Sequence, residues 1–561
     1  MTDCESIANA FNSYFTNVGK NLSESIPTSN KSPFDFMPPN LNKNFNLELI
    51  TIQEIEKEID KLNCNKATGP FSVPIKILKS IKHIVSRPLL HIFNLSFSLG
   101  QFPDCFKFAS VTPIFKKGSM LSVSNYRPIS LLSVFGRILE KLMFNRLNKY
   151  LNNNNILFNK QFGFRAKHST LQAILSITDK IQNAIENNLY SCGIFLDLSK
   201  AFDTVNHNIL INKLQYYGIR GQARVWFESY LNNRQQFVLM GKTKSTTLPI
   251  SCGVPQGSVL GPLLFLLYIN DFHRSSSILD FHLFADDSNL FYAHKNLESL
   301  ESTVNDQLSN IQSWLCSNKL SLNIEKSNFV IFHPFQKRLT HSLEIKLNNV
   351  PLKHESGIKY LGITMDSQLN WKSHVSHISR KIKRSIGMIS KARHFVNLEI
   401  LKNLYYSMIY PYLIYGIVAW GHTYQSTINP LLILQKKCLR LMTFVDFNAH
   451  TNPIFIRLKI LKINDLIKLQ TALFMYDFFS NNLPTSFESF FESVNHRHSY
   501  NTRLASRSTY SLPKARTNYG KFNIKFSGAI IWNNIDEAFK KLSKENFKLK
   551  IKDQYLQSYS T

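Results

Sequence analysis

Phe281-His282-Leu283-Phe284-Ala285-Asp286-Asp287-Ser288-Asn289-Leu290-Phe291-Tyr292-Ala293 sets two adjacent acids between two apolar runs. That is the pattern of a β-hairpin with carboxylates at its tip. Earlier in the chain a second apolar run, Cys192-Gly193-Ile194-Phe195-Leu196, ends in Asp197 and continues as Leu198-Ser199-Lys200-Ala201-Phe202-Asp203-Thr204-Val205. Two strands that each end in acid can share a pair of hard divalent cations, which need oxygen ligands on rigid elements. Two such ions side by side clamp the attacking and leaving oxygens of an in-line phosphoryl displacement, so the chemistry suggested is nucleotidyl transfer. An isolated Asp-Asp at a hairpin tip is more often a solvated turn. A third segment shifts the balance: Gly253-Val254-Pro255-Gln256-Gly257-Ser258-Val259-Leu260-Gly261-Pro262 lies between the two acid clusters. Its glycines permit close backbone approach, and the Gln256 amide can bond a base, a sugar or neighbouring backbone.

Further ordered blocks accompany these three. They are Ile114-Phe115-Lys116-Lys117-Gly118, Asn125-Tyr126-Arg127-Pro128-Ile129-Ser130-Leu131-Leu132 and Gln161-Phe162-Gly163-Phe164-Arg165, then Leu322-Asn323-Ile324-Glu325-Lys326-Ser327 and Lys359-Tyr360-Leu361-Gly362-Ile363. In this order the blocks resemble the reverse transcriptases of non-LTR retrotransposons, particularly the jockey-like elements. The resemblance runs from about Ser6 and thins towards the C-terminus. It implies an α+β, right-hand polymerase: fingers and palm with an antiparallel sheet packed on helices, then a helical thumb. The expected division is an N-terminal linker or extension over 1–96, fingers and palm over 97–366, thumb and connection over 367–482 and a basic region over 483–561. In such elements an endonuclease precedes the polymerase. Here the linker-like Ser6–Phe15 segment starts almost at Met1, so no endonuclease is expected in this chain.

The resemblance also implies roles. Asp197 and Asp286 would bind two Mg²⁺ ions, the Leu198 carbonyl would add an oxygen, and Asp287 would complete the acidic cluster. Asp203 stays outside this core site, a structural cap being as good a reading. Phe202 would lie beneath the incoming sugar, against the alternative of core packing. Lys116 and Arg127 would hold the triphosphate, Lys as a mobile point charge and Arg as a planar fork; Lys117 is an alternative to Lys116. Gln256 joins them in the nucleotide site. Lys326 is a candidate general acid for the departing pyrophosphate, and equally an ordinary lysine at an element's end. Tyr360, Leu361 and Gly362 resemble the primer grip. The implied partners are an RNA template, a DNA primer or target and a dNTP, in an intracellular setting, nuclear or in a cytoplasmic ribonucleoprotein.

Composition is consistent with this reading. The 561 residues are 44% hydrophobic and 12% aromatic, which favours packed cores over disorder. Sixty-six Lys and Arg against 37 Asp and Glu give +29, and the pI is near 9.7; a polyanionic partner is expected, bound less tightly as salt rises. The seven cysteines have no C-x-x-C spacing, which argues against a disulfide framework or a cysteine-rich zinc site. No secretory signal pattern opens the chain. The apolar stretch Leu404–Gly421 reads as a buried helical segment, not a membrane span, because tyrosines, Pro411 and Gly416 interrupt it.

Helices are expected over Ser6–Phe15 and Ile52–Leu62, with a proline-bearing loop over about Ser23–Asn44. Ser169-Thr170-Leu171-Gln172 has the form of a capping box opening another helix. Leu297, Leu300, Val304, Leu308, Ile311 and Leu315 mark an amphipathic helix, and Asn328–Phe332 a strand. Relatives carry an acid and glycine where Phe71-Ser72 stand. His374 and His377 are expected at the surface or on nucleic acid. The runs His496–Arg503 and Pro513–Lys521 are either a nucleic-acid contact or a flexible tail.

Overall fold

In this computed structural model residues 3–70, 73–339, 342–494 and 509–560 are described; Phe71-Ser72 and His496–Arg503 lie outside them. Among the described residues the strands are β1 (Phe108–Phe115), β2 (Tyr126–Leu132), β3 (Tyr190–Asp197), β4 (Arg234–Met240), β5 (Thr243–Lys244), β6 (Leu248–Ile250), β7 (Asp280–Phe284), β8 (Asp287–His294), β9 (Asn328–Phe332), β10 (Lys346–Leu347), β11 (Val350–Pro351), β12 (Lys353–His354), β13 (Gly357–Tyr360) and β14 (Ile363–Asp366). The central sheet runs β12-β9-β3-β8-β7, and a second sheet runs β2-β1-β4-β5 with β6 on β4. Both are mixed rather than purely antiparallel. β12 joins the edge of β9 in parallel, and β1 pairs β4 in parallel.

Strand β3 is buried from Tyr190 to Leu196, with both of its faces covered. Cys192, Ile194 and Leu196 enter one core, with the helices Val134–Asn153, Gly261–Tyr268 and Leu297–Ser317. Phe195 points the other way, into a core shared with the helices Thr170–Glu186, Lys372–Ala392, Gln425–Thr443 and Ile463–Phe479. The same alternation holds along β9, where Phe329 and Ile331 oppose Val330 and Phe332. Leu297, Leu300, Val304, Leu308, Ile311 and Leu315 are all buried, each contributing about 1.5–3 kcal/mol of burial. Their helix anchors the sheet from behind.

Three local expectations change. The Ser169 hydroxyl does cap the helix Thr170–Glu186, accepting from Gln172 N–H at 3.4 Å. The return half of the box is missing among the described residues: Gln172 Oε1 is buried without a partner. The stretch 404–421 is three short helical pieces, Leu398–Met408, Tyr410–Ile414 and Ile417–Trp420, because Gly416 turns left-handed at φ +63° between the last two. No described helix is long and apolar enough to cross a membrane. His374 is buried, not at the surface; its ring packs edge-on against Trp420 at 5.3 Å, and burial lowers its pKa to about 4.

Both chain ends join the cores. The N-terminal helix, Cys4–Glu24, is tied to β4 and to the loop between β5 and β6, Asn12 Nδ2 donating to the carbonyls of Gln236 and Thr246. At Gly19 the helix passes so close to the Asp203 carbonyl that a Cβ would collide with it. Residues 516–525 dock on the helix Thr170–Glu186. Glu186 accepts from the backbone N–H of Arg516 and Thr517, and Asp179 accepts from Asn523 Nδ2 at 3.0 Å and Lys525 Nζ at 2.9 Å.

Candidate active site

Asp197, the last residue of β3, lies directly opposite Asp287, the first of β8. Cross-strand partners share a face, and like charges so placed repel, so the pairing is a cost that folding alone does not call for. Asp286 sits beside them in the two-residue turn between Phe284 and Asp287. That turn has a positive φ at Ala285, +56°, and not at Asp286, the sign pattern of a type II′ turn, whose first position normally takes glycine.

The turn is held from outside. Gln161 Oε1 accepts from Ala285 N–H and from Gly163 N–H, each at 2.9 Å, and Gln161 Nε2 donates to the Ala285 carbonyl at 3.4 Å. Phe162 N–H donates to the Leu283 carbonyl at 2.8 Å, and Leu283 N–H to that of Lys160 at 2.9 Å. Gly163 must be glycine, since a Cβ there would collide with the Ala285 nitrogen.

A turn from the segment Ser321–Ser327 braces the end of β3. Asn323 N–H donates to the Asp197 carbonyl at 2.8 Å, Ser199 N–H to the Ser321 carbonyl at 2.8 Å, and Asp197 N–H to Ser327 Oγ at 3.1 Å. These bonds flank Leu198, and no hydrogen bond to its carbonyl is present among the described residues. The same turn places Lys326 Nζ 3.5 Å from Asp197 Oδ2.

Electrostatics bind this cluster to the second sheet. Burial raises the Asp286 pKa, the charge of Asp197 adds to that, and Arg127 and Lys116 oppose it. Partial enclosure pushes Asp287 up to about 6, with Asp286 and Asp197 pushing the same way and Lys116 opposing. Partial desolvation lowers the Lys116 pKa, and Arg127 and Lys326 lower it further. Lys116 follows β1 and Arg127 lies on β2 across from Ile114, both exposed. Lys200, to which no role was assigned, belongs with these cations: burial lowers its pKa, Asp203 opposes, and Arg127 and Lys326 add.

The Gly253–Gly257 loop links β2 of the second sheet to the segment after Asp197. Val254 N–H donates to the Phe202 carbonyl, Gly253 N–H to that of Val205, and Ser130 N–H of β2 to that of Gln256, each at 2.8 Å. The Gln256 amide itself donates to Asp203 Oδ1 at 2.9 Å. Asp203 is thus the anchor of Gln256. The other carboxyl oxygen is buried without a partner, and burial pushes the pKa up to about 6. Phe202 stacks on Phe265 at 4.4 Å and meets Phe164 edge-on at 6.0 Å. Tyr360 and Ile363 close a second two-residue turn. There Leu361 and Gly362 have φ of +42° and +88°, the type I′ pattern. The Tyr360 ring lies 5.9 Å from Phe195, and Tyr415 OH donates to the Leu361 carbonyl at 2.6 Å.

Asp197 at the end of β3 and Asp286 in the adjoining turn are half-exposed carboxylates, and with the Leu198 carbonyl, which accepts no hydrogen bond among the described residues, they are hard oxygen donors of the kind that suits Mg²⁺. Among the described residues no three His, Cys, Asp or Glu side chains close into a metal cage.

Residues 114–365 match the family model for reverse transcriptase (RNA-dependent DNA polymerase). The chain is 30% identical over 457 residues to the RNA-directed DNA polymerase from mobile element jockey of Drosophila melanogaster, covering 80% of this chain and 48% of that protein. It is 28% identical over 458 residues to the probable RNA-directed DNA polymerase from transposon BS of the same species, covering 78% and 49%. Against the jockey polymerase of Drosophila funebris the identity is 27% over 430 residues, covering 75% and 46%. The chain spans about half the length of the curated relatives it matches. It carries a reverse transcriptase domain and is related to the RNA-directed DNA polymerases of jockey-like non-LTR retrotransposons.

Proposed function

We propose that this chain extends a DNA primer on an RNA template, as the Mg²⁺-dependent RNA-directed DNA polymerase of a non-LTR retrotransposon. The observation that carries the reading is the juxtaposition of Asp197 and Asp287 across β3 and β8 with Asp286 in the adjoining turn. Asp197, Asp286 and the Leu198 carbonyl would hold two Mg²⁺ ions, which supply charge neutralisation for the attacking and leaving oxygens. Asp287 keeps the local field negative.

The primer 3′-hydroxyl gives up its proton to solvent as its oxygen attacks the α-phosphorus of a deoxynucleoside triphosphate, and the bond from that phosphorus to the bridging oxygen breaks to release pyrophosphate. Arg127 and Lys116 hold the triphosphate oxygens, and Lys326 protonates the departing pyrophosphate. Phe202 lies against the sugar, Asp203 keeps Gln256 oriented beside it, and the turn at Tyr360, Leu361 and Gly362 holds the primer end. Fingers and palm would occupy 97–366, the thumb and connection 367–482, with 1–96 and 483–561 as flanking regions.

The test is primer extension on an RNA template with purified protein. Asp286→Asn should lower the rate by at least about a thousandfold, the loss of several kcal/mol of transition-state stabilisation, while RNA binding stays near that of the wild type. Near-normal extension by this variant would remove the assignment.

A further inference from the structure

Two helix ends remote from the candidate active site hold aromatic rings in water. Phe395, just past the helix Lys372–Ala392, is 87% exposed; Phe444 and Phe447, just past the helix Gln425–Thr443, are 58% and 76% exposed. The two ends adjoin, since Arg393 Nη1 donates to the Leu441 carbonyl at 3.3 Å. Phe444 is doubly costly there. It caps its helix in the left-handed conformation at φ +56°, a position that glycine or asparagine normally fills and that is an outlier for a bulky residue.

Cations surround the rings. The Arg393 guanidinium lies 4.8 Å from the Phe444 ring centre and that of Arg440 lies 6.0 Å from Phe447, while His394 meets Phe444 edge-on at 5.7 Å. Arg393 also bonds the Leu441 carbonyl in the last turn of the helix Gln425–Thr443, and Arg440 Nε the Ala449 carbonyl in the loop beyond it, so holding this backbone accounts for part of their presence. It does not account for three exposed phenylalanines. Within 391–395 and 436–447 the charged residues are Lys391, Arg393, Lys436, Lys437, Arg440 and a single acid, Asp446.

We propose that Phe395, Phe444 and Phe447 form a stacking platform for an unpaired stretch of RNA, whose phosphates the surrounding cations neutralise. Flat rings among guanidinium and ammonium groups suit bases with free faces joined by a polyanionic backbone, and an apolar protein partner does not match that charge. The platform lies within reach of a bound template. Asp366 at the end of β14 accepts from Trp371 N–H at 2.9 Å, which ties the start of the helix Lys372–Ala392 to the hairpin carrying Tyr360 to Gly362. Twenty-one helical residues place its far end about 30 Å away, or roughly nine nucleotides at about 3.4 Å each. Exposed Arg380, Lys383, Arg384 and Lys391 lie along the way. The choice of RNA as occupant rests on the polymerase reading above, but the test does not need catalysis.

Binding of a labelled, unstructured oligoadenylate is measured in an Asp286→Asn background. Phe395→Ala with Phe447→Ala should weaken binding by roughly tenfold or more, stacking on each ring being worth about that much. The dependence of affinity on salt should keep its slope, because no phosphate contact is removed. Phe444→Gly separates function from folding: it should raise Tm, by relieving the strained cap, and at the same time weaken oligoadenylate binding. Unchanged affinity in both variants overturns the platform. So does a wild-type dimer in sedimentation that the Phe395→Ala, Phe447→Ala variant converts to monomer with its RNA affinity intact, which would give the patch to a second copy of the chain. If the variants lose RNA binding while the wild type fails to extend a primer, the platform stands and the polymerase reading falls.

Discussion

Gln161 holds Ala285 in a backbone conformation that alanine seldom adopts. Its amide oxygen accepts from Ala285 N–H at 2.9 Å and its amide nitrogen faces the Ala285 carbonyl at 3.4 Å, with the alanine at φ +56°. Ala285 immediately precedes Asp286, so the direction of that carboxylate depends on a glutamine on the neighbouring segment. Strain of this kind persists only where the surroundings over-determine it.

Gln161→Ala should therefore impair chemistry more than folding. The turn would relax towards negative φ and displace Asp286, and a shift of about 1 Å costs on the order of a hundredfold in rate. Ala285→Gly makes the left-handed turn intrinsically accessible, so adding it to Gln161→Ala should restore much of kcat. Single-turnover extension with the two single variants and the double variant measures the coupling; additive losses would show that Gln161 acts elsewhere.

Phe202→Val should raise ribonucleotide use while sparing most deoxynucleotide activity. The ring is fixed from below by Phe265 and at its edge by Phe164, so it cannot swing aside to admit a 2′-hydroxyl. A hydroxyl buried there without a partner costs about 1–3 kcal/mol, or roughly tenfold to hundredfold in selectivity. The ratio of kcat/KM values for matched ribo- and deoxynucleotides reports the change.

Stability of the metal-free protein should fall as pH rises from about 4 to about 6 because of Asp203. Its pKa in the folded chain is about 6 against an ordinary 3.8. Across that window the folded state keeps a proton that the unfolded chain has lost, and stability declines with pH. Two pKa units correspond to about 3 kcal/mol. Asp203→Asn keeps an acceptor for Gln256 and removes the charge, so it should flatten the slope of urea-unfolding free energy against pH in this range. An unaltered slope would mean that Asp203 is ionised in the fold.

Tyr415→Phe should weaken the proposed grip on the primer without changing the rate once it is bound. The hydroxyl bonds the Leu361 carbonyl at the tip of the type I′ turn. Loss of one such bond, about 0.5–1.5 kcal/mol, should raise the KM for primer-template roughly two- to tenfold, with kcat for the first nucleotide unchanged.

Much of this arrangement is legible from local pattern. The hairpin around Asp286 and Asp287, the strand ending in Asp197, the helix through Leu297 and Leu315 and the strand Asn328–Phe332 each follow from apolar periodicity over a few residues. What was not legible depends on contacts between distant segments. Nothing near Gln161 reveals that it serves a turn 124 residues later. For Asp203 the sequence leaves a structural cap and a functional part equally open, and only the Gln256 amide resting on it, from 53 residues away, gives it a place. His374 sits in a strongly basic stretch, and its burial is set by Trp420, which no local pattern connects to it. Within 404–421 the sequence flags Pro411 and Gly416 as interruptions, but the handedness at Gly416, which separates the last two of the three pieces, is not visible to hydrophobicity.

The docking of residues 516–525 on Glu186 and Asp179 sets a timetable for the nascent chain. Partners on the two sides of this contact are 330 to 346 residues apart. At about 5–20 residues per second, the ribosome needs tens of seconds to deliver the second half after the helix Thr170–Glu186 has emerged. Through that interval Glu186 and Asp179 lack their partners and one flank of the helix stays bare.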